Sequence, residues 1–442
     1  MPLNTKTDLN TPANYQKSSP FSLPIKLRLS ILMFLQFFVA GSTLPIMSLY
    51  LKDYLNFSGS QVGLIMGLSA VSSIVSPILM TFIADRVISA ERLLSLCHIC
   101  AAAVMLAFSQ QTRFLPVLLF YLTYTLITLP TNSLINAVTF HHSPSDRQKF
   151  GNIRVWGTIG WIAVAWVFSF GVLHGDVAPD APSRLPLLLK ISALTSTILS
   201  IYALCIPKKQ KTKEDSERKL FPFDSLKVML KPQVLTLSLL AMSITFIDRF
   251  YSVGTSPFLK QIGFSEKHIM PAMSLGQIPE IFAMGVLGFL LSRWGMKKVL
   301  LTGVLMEIFR FATCAFGMSK ALIYASLSVH GLAYTFVFIT AFISLDSFCR
   351  GRERAGVHQL FSVVAAGIGG FAGSFTAGKV TDLFSNAQGM VDYTKYWSVP
   401  LVLAFFILAA LLIFLKEVKI TSNQEVAPQE KDPASKAVLN AK

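Results

Sequence analysis

The sequence predicts an all-α membrane protein with twelve transmembrane helices in two six-helix halves. Twelve apolar runs are each long enough to cross a bilayer, which takes about 20 mostly apolar residues in a helix. The 442-residue chain is 53% hydrophobic and 14% charged, whereas a soluble globular chain carries about 25% charged residues. One basic polar stretch separates the first six runs from the last six, and it predicts two halves with equal numbers of helices.

Short polar loops separate the predicted spans, and each span is bounded where charged or turn-forming residues interrupt the apolar run. The spans cover residues 27–50, 61–84, 92–110, 114–138, 153–173, 185–206, 233–259, 268–292, 297–318, 320–346, 355–383 and 396–416. The basic stretch 207–232 is predicted to link half 27–206 to half 233–416. Within it, Phe221–Lys231 is predicted to form a short amphipathic helix on the membrane surface.

The basic excess predicts how the chain lies in the membrane. Its formal net charge is +16, and the Lys and Arg residues are scattered over short loops, which favours membrane anchoring over nucleic-acid binding. Residues 1–26 and 417–442 are predicted to be disordered tails. If both tails are cytoplasmic and residues near the ends of spans are counted with the adjoining segment, the cytoplasmic segments hold 27 of the 39 Lys and Arg residues, the outer segments nine and the interior of the spans three. The positive-inside rule therefore predicts two cytoplasmic termini.

The cysteines give no sign of a disulfide framework, a metal site or a cofactor. All five lie in or beside apolar runs, where a network of disulfides is not expected. Cys97 and Cys100 have the spacing of half a metal site, but no second pair stands at a metal-ligand spacing from them. We therefore expect neither a metal nor another cofactor.

Two loops repeat weakly between the halves. Segments 81–94 and 288–301 each place an arginine one turn beyond an apolar helix, followed by a tight turn and more charge. In this pattern Arg86 of the first half corresponds to Arg293 of the second, and Asp85 corresponds to Ser292. Parallel repeats are expected of a transporter built from two halves, and these loops resemble an inner-loop motif of the major facilitator superfamily. We predict that they take part in conformational change.

A carboxylate and an amide lie in the middle of the eighth predicted span. Gln277 and Glu280 are three residues apart, so they project from one face of a helix, and Pro279 is predicted to kink that helix. A carboxylate near the bilayer centre must pair, bind a cation or take up a proton. Glu280 is therefore a candidate for a reversible proton carrier, with a structural salt bridge as the alternative.

Arg154, near the start of the fifth span, has two interpretations. Its long side chain could reach the cytoplasmic headgroups, or it could face a cavity and donate hydrogen bonds to a substrate or a carboxylate. Gly157 and Gly160 allow close helix packing beside it. Thr158 lies one turn further on the same face.

Further charges interrupt the seventh and ninth spans. Asp248 and Arg249 lie about 100° apart on a helix, so they face different partners, and Ser252 continues the polar face of each. Such a helix could line a cavity or be buried against polar neighbours. Glu307 and Arg310 are three residues apart and are predicted to form a structural pair on their own helix.

Uncharged polar side chains inside spans are also candidates for contact with a polar ligand, because amides and hydroxyls both donate and accept hydrogen bonds. Each of them could equally join two helices. They are Gln36 in the first span, Asn132 and Asn136 in the fourth, and His330 and Tyr334 in the tenth.

Several of these residues stand in short motifs that together carry a family resemblance. The motifs are Phe34–Phe37 with Gly41 and Ser42, Ile83–Arg86 with Ser89 and Ala90, Leu134–Asn136, Arg154 with Trp156–Gly160, Gln277, Ile278 and Glu280, Leu291–Arg293 with Gly295, and Arg310–Ala312. From about residue 27 to 415 the chain resembles the nucleoside:proton symporters of the major facilitator superfamily, the bacterial nucleoside and xanthosine permease group. The resemblance implies a multi-pass protein of the bacterial inner membrane, which we expect to be a monomer.

The resemblance also implies roles for residues at matching positions. The residues that would line a nucleoside cavity are Arg154, Thr158, Trp161, Gln277 and Glu280, and Trp161 would stack on a base, a contact worth about 1–3 kcal/mol in nucleic-acid complexes. The chain departs from the family pattern in the seventh and tenth spans, where it has Arg249, Ser252, His330, Tyr334 and Thr335. The remaining substrate candidates are Arg249, Ser252, His330, Tyr334, Asn136 and Gln36, and the proton-coupling candidates are Glu280 and Asp248.

The sequence therefore predicts a secondary transporter that imports nucleosides or related small polar solutes with protons by alternating access. An alternative is a transporter of the same superfamily for a sugar, an organic acid or an amphipathic compound, which could be an exporter. A membrane enzyme would need a catalytic cluster near one membrane face, and only His141, His142 and Asp146 form a candidate. Those three residues are more simply explained as a solvated loop.

Overall fold

The computed structural model describes residues 24–86, 89–142, 147–172, 183–207, 223–317, 319–349 and 353–415. Long helices occupy most of this part, and we number them in chain order. They are α1 Ile25–Tyr54, α2 Gly59–Arg86, α3 Ala90–Phe108, α4 Phe114–Phe140, α5 Phe150–Val172, α6 Pro186–Leu204, α7 Pro232–Gln261, α8 Glu266–Trp294, α9 Met296–Ala315, α10 Lys320–Phe348, α11 Gly356–Leu383 and α12 Tyr393–Phe414.

Ten of these helices are long and apolar enough to cross a membrane. The other two, α2 and α9, occupy the positions of the second and ninth predicted spans. The side chains of α2 are described only as far as Val75, and α9 includes four charged residues, Lys297, Lys298, Glu307 and Arg310. The total of twelve spans therefore remains a prediction. In the predicted linker, a short helix covers Phe223–Met229, and Ser225 donates a hydrogen bond to the Glu353 carbonyl (3.2 Å).

The helices of each half pack mainly on one another. In the first half α1 lies against α5 and α6, and α3 lies against α6; in the second half α7 lies against α11, and α9 against α12. The halves meet most extensively where α2 packs along α11. Hydrocarbon offers no hydrogen-bond partners to backbone N–H and C=O groups. A chain in a membrane therefore adopts structures such as these helices, in which the backbone groups bond to one another.

Small residues allow α2 and α11 to approach closely. Gly63 of α2 faces Gly378 of α11, and a Cβ added to Gly63 would lie 2.8 Å from the Gly378 Cα. No real side chain tolerates that distance from a backbone atom. Small residues at helix contacts are the usual means of close approach between membrane helices, so this pair holds the two halves together along part of their length.

A carboxylate from the second half closes one end of this contact. Asp382, in the last turn of α11, accepts hydrogen bonds from the backbone N–H groups of Gly59 (2.5 Å) and Ser60 (2.8 Å) and from the Ser60 hydroxyl. The first N–H groups of a helix have no partner within the helix and carry partial positive charge that favours an anion. Asp382 thus binds the N-terminus of α2 and joins the halves.

Other contacts between the halves lie at the same end of the bundle, which we call the closed end. Lys260 of α7 forms an ion pair with Asp53 of α1 across the halves (3.1 Å) and a second one with Glu266 of α8 within its own half (2.9 Å). The hydroxyls of Ser48 and Ser256 are hydrogen-bonded across the halves at 2.8 Å, and both residues are fully buried. The closed end is therefore held by charged, polar and backbone groups together.

At the opposite end, the contacts that the described residues show lie within one half. Arg28 donates to the Cys205 carbonyl (3.1 Å), and His142 lies 2.9 Å from the Pro207 carbonyl. In the second half Lys297 donates to the Leu412 carbonyl (2.8 Å). In the part of the chain that is described, the bonds between the halves are thus concentrated at the closed end.

We predict that Asp382→Ala loosens the closed end. The substitution removes three hydrogen bonds to a carboxylate, and bonds to charged groups contribute about 1.5–3 kcal/mol each, so opening at this end should become at least about tenfold more frequent. A cysteine placed at the buried position 256 reports this opening as a faster reaction with a water-soluble maleimide, after subtraction of the labelling of the five native cysteines.

Asp392→Ala is the matched control, because Asp392 lies at the same end but contacts only Lys395 and the N-terminus of its own helix. This control should leave the labelling rate unchanged. Equal labelling of the Asp382→Ala and parent backgrounds would show that the carboxylate does not hold this end.

Candidate functional site

An interruption in α8 positions its polar side chains. The helix runs as Glu266–Ser274, turns at Leu275 and Gly276, and resumes as Gln277–Trp294. The predicted kink at Pro279 therefore appears as a turn just before it, where the missing proline N–H leaves the Leu275 carbonyl without its usual partner. Glu280 lies in the first turn of the second segment, where the helix dipole favours a negative charge.

Arg154 of the first half faces Glu280 of the second. The Arg154 guanidinium stacks on Phe37 of α1, with its Cζ 4.1 Å from the ring centroid, and its charge acts on Glu280 and Tyr334. This placement favours the cavity interpretation of Arg154 over one in which the side chain reaches for the headgroups. Among the described residues no ion pair within 4.0 Å joins Arg154 to Glu280.

The other predicted cavity residues lie on the helices that carry this pair, α5 and α8, and on α10. Tyr334 of α10 is 42% exposed, whereas Thr158, Trp161 and Gln277 are half-buried. Trp161 packs along α1, where a Cβ added to Gly41 would lie 3.2 Å from the indole ring. We call these residues and the facing charges the cavity group: Arg154, Thr158, Trp161, Gln277, Glu280 and Tyr334. The group offers a cation, an acid, an amide, two hydroxyls and an aromatic face.

A second set of ionisable residues is bound together beside the cavity group, and we call it the Arg310 cluster: Asp248, Tyr251, Glu307, Arg310 and His330. The fully buried Arg310 forms ion pairs with Glu307 on its own helix and with Asp248 of α7 (3.2 Å), and it donates to Nδ1 of His330 on α10. Its Cζ lies 4.3 Å from the centroid of the Tyr251 ring. The same ring stacks on His330 at 4.4 Å.

The Arg310 cluster links α7, α9 and α10. Two of its members were predicted to have other roles. Asp248, a proton-coupling candidate, and His330, a substrate candidate, both contact Arg310. Their side chains keep 18% and 20% exposure. The predicted Glu307–Arg310 pair is present, but Arg310 also bonds to two other helices. The cluster thus lies behind the cavity as a support.

Gln36 is placed in a buried network of the first half. It is 3% exposed, and its amide donates to Thr131 (2.7 Å) and Asn132 (3.2 Å) while its carbonyl oxygen contacts Nε2 of the fully buried His98 (2.8 Å). Its hydrogen-bonding groups are used between α1, α3 and α4, so the structure gives Gln36 a role in helix packing. Asn136 has a buried side-chain oxygen that finds no partner among the described residues.

The remaining candidates are less enclosed. Ser252 donates to the Asp248 carbonyl of its own helix (3.4 Å), and Arg249 is half-buried. Arg293 of the predicted inner-loop motif is exposed at the end of α8, with its Cζ 6.0 Å from the centroid of the Phe289 ring. The side chains of its counterparts, Asp85 and Arg86, lie outside the described residues.

The candidate enzymatic cluster is described only in part. Both ring nitrogens of His142 lie 2.9 Å from backbone carbonyls, those of Val138 and Pro207, so this side chain ties two helix ends together. The side chain of His141 and the whole of Asp146 lie outside the described residues. Over the described part of the chain, no group of three or more His, Cys, Asp or Glu residues could hold a metal ion.

Three structural features were missed by sequence reasoning: the contacts of Arg310 with α7 and α10, the stacking of the Tyr251 ring on both Arg310 and His330, and the burial of His98. Helical spacing could reveal the Glu307–Arg310 pair because both residues share one helix. The bond between Asp248 and Arg310 joins residues 62 positions apart, and periodicity along a helix contains no information about such a partner.

Comparison with known proteins finds one family over most of the chain. The profile of a family described as "Nucleoside H+ symporter" matches residues 23–419. The putative nucleoside transporter YegT of Escherichia coli strain K12 is 28% identical over 402 residues, which cover 88% of this chain and 93% of that protein. Xanthosine permease of the same organism is 28% identical over 424 residues, 91% of this chain and 98% of that protein.

Solved structures of related proteins share the fold. The crystal structure of nucleoside transporter NupG superimposes with a TM-score of 0.78 at 25% identity and covers 89% of this chain and 98% of that one. A variant of NupG gives a TM-score of 0.81 at 25% identity and covers 89% of this chain and 100% of that one. The likeness therefore extends over both halves.

We predict that Arg310→Met destabilises the folded protein. Removing one partner of a buried ion pair leaves uncompensated charge and costs about 3–5 kcal/mol, so the melting temperature in detergent should fall by several degrees. Adding Asp248→Asn and Glu307→Gln to this variant should restore part of the loss, because no unpaired carboxylate then remains. Arg293→Met, at an exposed arginine, is the control and should melt like the parent. Equal melting of Arg310→Met and Arg293→Met would contradict a supporting role for the cluster.

Proposed function

We infer the function from one premise: the chain belongs to the nucleoside H+ symporter family. The likeness to NupG confirms the predicted fold class, the helical two-half fold of the major facilitator superfamily. The chain is therefore a multi-pass membrane transporter that moves nucleosides together with protons, and it is not an enzyme. Such transport requires a site for the nucleoside and a group that carries the coupling proton.

We propose that the nucleoside binds in the cavity group. The observation that supports this most directly is the opposition of Arg154 and Glu280, one from each half, with Tyr334 near both. Guanidinium and carboxylate groups can hydrogen-bond a base edge and ribose hydroxyls at once. Trp161 and Tyr334 supply aromatic surface, on which a base can stack whatever its identity.

We assign the coupling proton to Glu280. A carboxylate in the interior of a membrane protein is costly unless it is paired or protonated, and Glu280 has a cation opposite it but no direct ion pair among the described residues. Asp248, the other candidate, is already bound to Arg310. Glu280 is thus the carboxylate whose protonation the arrival or departure of substrate can influence.

The cycle follows from the arrangement of the halves. With both termini in the cytoplasm, as proposed from the distribution of basic residues, the closed end lies on the outer face and the cavity group is separated from the outside. Opening this end requires rupture of the Asp382 and Lys260 contacts. Glu280 then takes up a proton and the nucleoside enters, and rocking of the two halves releases both inside.

Glu280→Gln should abolish uphill transport while leaving exchange. The amide keeps the shape and hydrogen-bonding ability of the side chain but cannot carry a proton. One pH unit stores about 1.36 kcal/mol per proton, enough for about tenfold accumulation with one proton per substrate. In proteoliposomes with an imposed pH gradient, the variant should bring labelled uridine only to equal concentrations, whereas exchange of labelled for unlabelled uridine should persist.

The control for this experiment is Glu353→Gln, since Glu353 lies outside the membrane-spanning helices. This variant should accumulate uridine like the parent. Undiminished accumulation by Glu280→Gln would exclude Glu280 as the proton carrier.

Arg154→Gln should weaken uridine binding. Hydrogen bonds to a charged group contribute about 1.5–3 kcal/mol, so the dissociation constant from titration calorimetry should rise by about tenfold or more. Arg154→Lys should recover only part of this loss, because lysine retains the charge but lacks the planar fork that stacks on Phe37. Arg113→Gln, at the start of α4, should bind like the parent. Equal affinity in Arg154→Gln and Arg113→Gln would place the nucleoside elsewhere.

A further inference from the structure

Arg249 differs from Arg310, its neighbour inside the bundle, because no carboxylate of the described residues pairs with it. The neighbouring carboxylate of Asp248 bonds to Arg310 instead. Over the described residues, Arg249 forms neither a hydrogen bond nor an ion pair, and its Nε is buried without a partner. Nε carries one of the five N–H donors of the guanidinium, and a buried donor without an acceptor is costly. A ligand that supplies a hydrogen-bond acceptor to Arg249 would account for this unpaired donor.

The surroundings of Arg249 direct its guanidinium to the space between the halves. On one side lies α11, where a Cβ added to Gly370 would lie 3.5 Å from Nε and 3.8 Å from Nη2 of Arg249. The absence of a side chain at position 370 leaves room beside the guanidinium. Its charge acts on Tyr121 of the first half and on Tyr334 of the cavity group. Arg249 and the cavity group therefore share one region.

The balance of charge in this region indicates what the partner of Arg249 is. The interior of the described part of α5 to α10 holds three arginines and three carboxylates: Arg154, Arg249, Arg310, Asp248, Glu280 and Glu307. With every group ionised, the six charges cancel. When Glu280 takes up the coupling proton, the same interior has one excess positive charge, which is unfavourable in a membrane. A substrate with one negative charge would restore neutrality, whereas an uncharged substrate would not.

We propose that Arg249 selects a nucleoside that carries a negative charge, on its base or at its 5′ position, and binds the anionic group through its guanidinium. This rests on the proposed function, because it needs Glu280 as the proton carrier and the cavity group as the nucleoside site. A carboxylate matches the guanidinium with two parallel hydrogen bonds. Transport of one such anion with one proton moves no net charge.

The test compares acids with their uncharged amides of nearly equal shape. Two matched pairs place the charge differently: 5-carboxyuridine against 5-carbamoyluridine, and uridine 5′-carboxylic acid against its 5′-carboxamide. Uridine is the reference for both. We expect the purified protein to bind one of the acids at least about tenfold more tightly than its amide, as bonds to charged groups imply, and the pair that shows the preference locates the charge on the base or the sugar.

Arg249→Gln should remove this preference and bring the ratio of the two dissociation constants to about one, while uridine binding persists. Arg249→Lys keeps the charge without the fork and should show an intermediate ratio. It also serves as the second variant if Arg249→Gln does not fold. Uptake of the preferred acid by proteoliposomes should produce no electrical current, because proton and anion compensate each other.

Two results would overturn the inference while the proposed function stands: uridine binds but neither acid is preferred, or the preference survives Arg249→Gln. Failure of every nucleoside, charged or neutral, to bind or to be transported would contradict the proposed function itself. A current of the sign of positive charge entering with the acid would exclude neutral co-transport and with it the balance of charge on which the inference depends.

Discussion

The helix packing of the second half depends on the bonds that the guanidinium of Arg310 forms. It is fully buried, yet it is bound by carboxylates from two helices and by a histidine of a third, and a tyrosine ring covers its face. Hydrocarbon offers no solvation for such a charge, so α7, α9 and α10 can pack only in an arrangement that brings these partners together. Arg310 thereby fixes how α7 and α10 are oriented, because it holds Asp248 of α7 and His330 of α10 in place.

The cavity depends on the opposite situation, in which charges are left incompletely paired. Arg154 and Glu280 come from different halves and face each other without a direct bond, and Arg249 has no partner among the described residues. Full pairing gives rigidity, whereas incomplete pairing leaves donors and an acid free for a ligand. The same chemical groups thus support the fold in one place and are proposed to bind substrate in another, and what differs is whether carboxylates of the protein pair with the guanidinium.

Much of the fold could be predicted because hydrocarbon penalises charge so strongly. Long apolar runs marked the helices, and helical spacing placed Gln277 and Glu280 on one face and paired Glu307 with Arg310. The partners between helices could not be predicted, because periodicity within one helix does not give its rotation relative to the next. Gln36 is engaged by His98, and Asp248 by Arg310, through contacts that only the packed bundle reveals. The turn before Pro279 likewise depends on how α8 packs against α10.

The hydrogen bonds between Asp382 and the start of α2 respond differently to mutation at each of the positions that form them. Two of the three groups that donate to the carboxylate are peptide N–H groups, and these are supplied by every amino acid except proline. Position 60 can therefore change without loss of its backbone bond, whereas a Cβ at Gly59 would lie only 2.5 Å from the Gly378 carbonyl oxygen. A single codon change at position 382 removes all three bonds. A lineage that needed a more readily opened closed end could obtain it there in one step, with no change to the cavity group.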